Sequence, residues 1–246
     1  MTPFNTQHRP WPLPESAWVM TMRWERLLFA HWAVDADAMR QLIPASLQLD
    51  TFDGKAWIGV VPFRMAGTRP ACLPALPWLS YFPELNVRTY VVRDGKPGVW
   101  FFSLDAGNPI AVRLARGLFH LPYFDARMSL NEKAGGVVFR SKRTHSGAPP
   151  VELKIRYRPV GDVQLAQPGS LDHWLTERYC FYAEDRRKRL FRCDVHHDPW
   201  PLQPAKADIT ACSLASSLGL ALSSAHAILH YSHTLAVHAW PLARVG

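Results

Sequence analysis

The sequence predicts a β-rich α+β domain, with largely antiparallel sheets forming a barrel or folded double sheet and a few peripheral helices. Three observations carry that expectation. Twenty-one prolines among 246 residues leave little room for long helices. Ten tryptophans and twelve phenylalanines suit the bulky packing of pleated strands. Apolar runs recur on either side of Asp-Gly pairs, which favour the positive φ angles of type I′ turns and so mark hairpins.

The elements follow in order. Residues 1–16 (MTPFNTQHRPWPLPES) read as an extended N-terminal arm, and residues 17–246 as a single domain. Trp24–Val34 is an apolar, aromatic run. Asp35–Ile43 reads as a short helix, capped by Asp35 or Asp37 and stopped by Pro44. Leu47–Phe52 and Ala56–Met65 flank Asp53-Gly54 as a first hairpin. Glu84–Arg93 and Val99–Leu104 surround Asp94-Gly95 as a second, whose longer connection predicts a bulge or a wider loop. The Pro-rich stretch from Pro62 to Pro83 is too apolar for a free linker. Leu73, Leu76, Trp78 and Tyr81 are costly to leave in water, so it is expected to fold over a cavity mouth or enter a subunit interface.

Asn108 and Pro109 open the clearest helix, as N-cap and first helical residue, and Ile110, Leu114 and Leu118 continue it at helical spacing up to Pro122. Strands are expected at Ala126–Leu130, Val137–Thr144, Glu152–Tyr157, Leu190–His197 and Ile228–Trp240. A second helix is expected over Leu171–Phe181 behind the cap Ser170, and a short one around Ser213–Leu218.

Charge and motifs narrow the function. The net charge is +8, but the arginines are scattered. The one dense run, Arg186–Arg189, follows Glu184 and Asp185 and reads as a solvated turn, so no nucleic-acid partner is expected. Four widely spaced cysteines without a CxxC pair argue against a zinc ribbon, a redox motif or a disulfide scaffold. The N-terminus lacks an apolar signal-peptide core, and no apolar run is long enough to span a bilayer. A cytoplasmic protein without a membrane partner is expected. His196 and His197 are adjacent, so on a strand they point to opposite faces, and no HExxH occurs. No metal and no cofactor is expected. There is neither a GxSxG elbow nor a phosphate loop.

Several blocks carry a resemblance: WERLLFAHWAVDADAMRQLIPASLQLD (24–50), FPELNVRTYV (82–91), GVWFFSLDAGNPIAVRLARGLFHLPYFDA (98–126), and later HWLTERYCFYA with HHDPWPLQPA. Together they resemble the YqjF-like family of uncharacterised bacterial proteins, a branch of the acetoacetate decarboxylase-like superfamily. The resemblance implies a cone-shaped β-barrel around a central cavity. The decarboxylase forms an imine through a lysine whose pKa is lowered by desolvation and a neighbouring cation. Here the matching dipeptide is Tyr123-Phe124, and neither side chain can form a Schiff base. That argues against imine-based decarboxylation. The resemblance also places Glu84 at the family's active-site glutamate and Arg116 at an arginine of the preceding helix. A second family acid falls near Ile58–Val60, where there is none.

The residues themselves agree in part. Glu84, Asn86 and Arg88 alternate, so a strand puts all three on one face, lining a cavity or facing water. Arg116 shares a helix face with Arg113 and can hold a carboxylate or a structural salt bridge. Tyr123 can donate to a ligand carbonyl, act as a general acid, or sit in the core with its hydroxyl satisfied.

Two functional readings follow. One is a binding protein that keeps a cavity for a small oxygenated or carboxylated metabolite. The other is an enzyme on a small keto or carboxylic acid, with Glu84 and Tyr123 as catalytic groups and Asn86, Arg88 and Arg116 as ligand contacts. In that enzyme Glu84 would be the acid/base, and Tyr123 and Arg116 would orient the substrate. The apolar Pro-rich stretch suggests a homo-oligomer.

Overall fold

The computed structural model describes residues 4–133, 135–214, 216–220, 222 and 227–245. The elements are β1 (Met20–Val34), α1 (Ala36–Arg40), β2 (Gln48–Leu49), β3 (Ala56–Pro70), β4 (Phe82–Arg93), β5 (Lys96–Ala106) and α2 (Pro109–Leu118). They continue with β6 (Tyr123–Lys133), β7 (Gly136–Arg143), β8 (Glu152–Pro159), α3 (Leu171–Thr176), β9 (Cys180–Glu184) and β10 (Leu190–His196). The chain ends with β11 (Gln203–Cys212), β12 (Ile228–Ala239) and β13 (Ala243–Arg244).

One mixed sheet wraps onto itself. Pairing of β4 with β5 closes the ring β5-β6-β7-β8-β11-β12-β1-β3-β4 into a barrel of nine strands. Most neighbours are antiparallel, while β5 runs parallel to β6 and to β9. The free edges of β5 and β12 each fork. On β5, Leu104–Ala106 pair with β6 and Val99–Trp100 with β9. On β12, His230–Tyr231 pair with β11 and His238–Ala239 with β10. The β9–β10 pair therefore bridges the barrel and makes a smaller ring with β12, β1, β3, β4 and β5.

Strands β1, β3 and β4 are common to both rings, and both of their faces are buried. Leu28, Ala30, Ile58, Val60, Leu85 and Val87 point one way, into a solid core against β7 and β8 (Phe139, Leu153, Tyr157). Leu27, Phe29, Val61, Phe63 and Met65 point the other way. Period two delivers the two faces from the same strands.

The turns behave as their residues dictate, with two corrections. Asp53-Gly54 takes φ of 49° and 73°, and Asp94-Gly95 takes 51° and 71°. Residues 48–49 do not pair with β3, however. β2 and β3 lie in line along the same edge of β4 (Leu49 opposite Val91, Ile58 opposite Thr89), because β1 already occupies the other edge of β3. Asp53-Gly54 is a local reversal between two collinear strands, closed by the Phe52–Lys55 bridge. The second hairpin has no wider loop: Arg93 pairs directly with Lys96 across a two-residue turn. Pro97, which contributes no N–H, masks the start of β5 in the sequence. The irregularity sits at Val87/Arg88 instead.

Other boundaries shift as well. The Pro-rich loop begins only after Pro70, since Pro62 lies inside β3. Asp35 caps α1 through Ala38 N–H at 2.8 Å, and Asn108 caps α2 through the N–H groups of Ile110 and Ala111. The expected helix 171–181 ends at Thr176, and Cys180–Glu184 form β9. Around Ser213–Leu218 the described residues form a 3₁₀ turn at Ser216–Leu218. Strand β11 was not expected. Its alternation of half-buried and exposed positions rests on alanines, which give period two little hydrophobic contrast.

Residues 4–19 run along β10 and β12. The Arg9 guanidinium donates to the Val195 carbonyl at 2.6 Å, and the Trp11 indole to Asp194 at 2.9 Å. The Arg186–Arg189 run makes the β9–β10 turn, where Arg189 pairs with Asp185 at 2.6 Å. Among the described residues no helix is long and apolar enough to cross a membrane.

Candidate functional site

The smaller ring encloses a cavity of about 250 Å³, below the usual range for drug-sized ligands. Its walls are apolar and aromatic, including Trp24, Phe63, Phe101, Leu121, Phe181 and Val237. Strand β4 lays Glu84, Asn86 and Arg88 along one side as a polar row. All three are buried, at 2%, 6% and 8% exposure. The cavity opens where Met20, Arg69, Pro70, Leu79, Leu114 and Leu118 gather.

Glu84 is the first polar rung inward from Phe82. The Tyr123 hydroxyl, brought in at the start of β6, donates to its Oε2 at 2.9 Å. Burial pushes the Glu84 carboxyl up to about 8, and the Tyr123 hydrogen bond only partly offsets that. Burial and the adjoining carboxyl hold Tyr123 well above the ordinary tyrosine range. At neutral pH the dyad is a neutral carboxylic acid beside a neutral phenol, and the acid has a proton to give.

Asn86 lies one step deeper. Its Oδ1 is buried and receives no hydrogen bond. Arg88 forms the floor. Its guanidinium lies over the Phe29 and Tyr90 rings, at 5.1 and 5.7 Å. It donates only to neutral oxygens, the Tyr90 hydroxyl at 3.5 Å and the Leu175 carbonyl at 3.4 Å, both long contacts. Its Nε is buried without a partner. Two other buried arginines differ: Arg143 has Asp105, and Arg178, which also lines the cavity, has Asp50, each at 2.7 Å. Among the described residues the Arg88 charge has no such carboxylate.

A fixed network holds the floor. The Tyr90 hydroxyl donates to Leu175 O at 2.8 Å, so it accepts from His31 Nε2–H at 2.7 Å. Burial, together with the Arg88 charge, keeps His31 neutral, its pKa well below the usual value. Gly59 makes room: a Cβ there would meet the His31 ring at 3.0 Å and Arg88 Cγ at 3.3 Å. His31 and Tyr90 were not singled out in the sequence. The local traces were a histidine inside an apolar strand, the common pattern of a satisfied core residue, and the period-two spacing that puts Tyr90 on the face of Arg88.

Arg116 is corrected. It lies on the exposed side of α2, outside the cavity, and donates to the Tyr123 backbone carbonyl at 2.6 Å. Its helical neighbour Arg113 pairs with Asp125 at 2.8 Å. The face of α2 that meets the cavity carries Ala111, Leu114, Ala115 and Leu118 instead. The structure thus brings together Glu84, Asn86, Arg88 and Tyr123, and leaves Arg116 out.

Among the described residues no lysine lines the cavity. Of the two adjacent histidines, His197 lines it and His196 points outward against Phe4. Among the described residues no group of three or more His, Cys, Asp or Glu is placed to hold a metal ion.

Comparison with known proteins agrees with this geometry. A family described as "Uncharacterized conserved protein", DUF2071, matches residues 21–236. The chain is 43% identical over 230 residues to "Uncharacterized protein YqjF" of Bacillus subtilis (strain 168), covering 94% of each chain. Among solved structures, an acetoacetate decarboxylase aligns with a TM-score of 0.63 at 14% identity, over 94% of this chain and 90% of that one. The enduracididine biosynthesis enzyme MppR, complexed with pyruvate, aligns with a TM-score of 0.62 at 15% identity, over 98% and 93%. The acetoacetate decarboxylase-like fold is therefore shared.

Proposed function

The chain belongs to the DUF2071 family and has an acetoacetate decarboxylase-like fold, and on that frame we propose that its cavity binds a small carboxylated or oxygenated metabolite without imine chemistry. One observation carries the reading: Arg88, a buried cation with no carboxylate of its own, shares an apolar cavity with a protonated carboxyl. An unpaired buried charge is unfavourable until an anion reaches it. A ligand carboxylate supplies that anion. Glu84, neutral and oriented by the Tyr123 hydroxyl, puts no competing negative charge in the cavity. That the fold neighbour MppR is described with pyruvate bound supports the same ligand class.

The absence of lysine from the lining supports the non-imine part. Borohydride treatment with a β-keto acid should leave the protein unmodified, and a lysine adduct would contradict it. Calorimetry with monocarboxylates at pH 6.5 tests the binding part. The wild type should bind and Arg88→Met should lose at least tenfold in affinity, a loss consistent with a charge-assisted hydrogen bond. Equal binding by both proteins removes the assignment.

A second reading has its own support. A carboxyl held near 8 is matched to general acid/base work at neutral pH. An enzyme using it would exchange α-protons of a keto acid for deuterium, and Glu84→Gln would stop the exchange. Arg116, facing outward, has no part in that version.

A further inference from the structure

We propose that the cavity's ligand is a straight-chain carboxylic acid bound head-inward, its carboxylate at Arg88 and its apolar chain leaving through the mouth beside α2. This rests on the reading above and names the ligand class for the same cavity.

The first support is the length of the polar row. Register along β3 and β4 sets Phe82 opposite Met65 toward the mouth and Arg88 opposite Gly59 at the floor. A strand rises about 3.3 Å per residue, so Glu84 and Arg88 are separated by roughly 13 Å of strand. A compact keto acid with its carboxylate at Arg88 leaves most of that path empty. An extended chain fills it.

The second support is the character of that path. Between floor and mouth Phe63, Phe101 and Leu121 offer no hydrogen bonds, and beyond the β4 row the buried donors without a partner are the Trp24 and Trp200 indole N–H groups and one nitrogen of Arg178, too few for a polyhydroxylated or multiply charged molecule. The Glu84–Tyr123 pair, neutral below about pH 8, lets a methylene chain pass without stranding a charge.

The third support lies at the mouth. Leu114 and Leu118 line the cavity, yet they are 49% and 65% exposed. They stand one helical turn apart, so they form one strip continuous with the interior wall. Apolar area open to water is unfavourable, and a chain emerging over this strip covers it. The far end of the molecule whose head is buried at Arg88 covers this strip.

The opposite orientation is the natural rival, because Arg69 stands at the rim. Arg69, however, already donates to the Leu73 carbonyl at 3.2 Å and reaches water, whereas Arg88 is buried and lacks an anion. The unmet need is at the floor.

The test is calorimetry at pH 6.5 with the acids butanoate through dodecanoate, kept below their micelle concentrations. Wild-type affinity should rise about fourfold per added methylene, the equivalent of ~0.8 kcal/mol, and then level off once the chain clears the mouth. Leu118→Glu, at an exposed position where folding is preserved, should weaken decanoate about tenfold more than butanoate. Arg88→Met should weaken every acid, and Arg69→Ala should weaken none as much. Affinity independent of chain length but lost in Arg88→Met overturns this inference and leaves the carboxylate site standing. Binding lost in Arg69→Ala but kept in Arg88→Met reverses the orientation and overturns it. A wild type that binds none of the acids overturns the carboxylate site as well.

Discussion

The two faces of β1, β3 and β4 are built from the same strands, often from adjacent residues, and they solve opposite problems. On one face Leu28, Ile58, Val60 and Leu85 meet Phe139, Leu153 and Tyr157 in a filled aliphatic and aromatic core. On the other, Leu27, Val61 and Phe63 border a cavity into which β4 sends Glu84, Asn86 and Arg88. Along β4 the two sets interleave: Leu85 and Val87 pack while their neighbours on either side do not. The solid face stabilises the barrel through burial. The hollow face gives up packing and retains a neutral acid, an amide oxygen with no donor and an unpaired guanidinium. Groups that weaken folding gather on this face alone of the two, and that contrast marks the candidate site more clearly than any single residue does.

The contrast can be broken by truncation. Phe139→Ala, on the solid face, should cost about 3–5 kcal/mol, the usual range for an aromatic core residue, and lower the melting temperature by roughly 10 °C. Phe101→Ala, whose ring already borders open space, should lose less than half as much. Equal losses in thermal melts would mean that the hollow face is packed after all.

The pH dependence of stability sharpens it. The folded protein keeps a proton on Glu84 up to about pH 8, whereas the unfolded chain releases it near 4.5. Between those values the native state binds more protons, so this group's contribution to stability falls as pH rises, by ~1.4 kcal/mol per unit, and levels off above 8. Denaturant titrations of wild type minus Glu84→Gln should show that slope and no slope below 4.5. The difference cancels other titrating groups such as His31.

The smallest effect belongs to the residue that left the site. Arg116→Ala removes one hydrogen bond to the Tyr123 carbonyl from an exposed side chain. It should cost no more than about 1 kcal/mol and leave carboxylate affinity unchanged. A large loss of affinity would bring Arg116 back as a ligand contact.

Much of this contrast was legible in the sequence. The alternation Glu84-Asn86-Arg88 fixed a common face through period two alone, and the Asp-Gly pairs fixed where the chain reverses. The resemblance singled out Tyr123 as the residue standing in place of a lysine. What alternation could not show was which strands become neighbours. The forks on β5 and β12 that create the smaller ring depend on contacts between distant segments, and β11 hides behind alanines. The same limit explains Arg116: helical spacing groups it with Arg113, but which face of α2 meets the cavity depends on docking. Tyr90 continues the period-two row after Arg88, but it matters through His31, and no spacing brings residue 31 to residues 88 and 90.

The central claim is that the hollow face holds a carboxylic acid in its neutral form, buried beside Tyr123. Carbon-detected NMR of protein labelled at the glutamate side-chain carboxyl measures this directly, with Glu84→Gln to assign the signal. The Glu84 carboxyl should titrate near pH 8, far from the solvent-exposed glutamates. A midpoint in the ordinary carboxylate range, below about 5, would contradict the account.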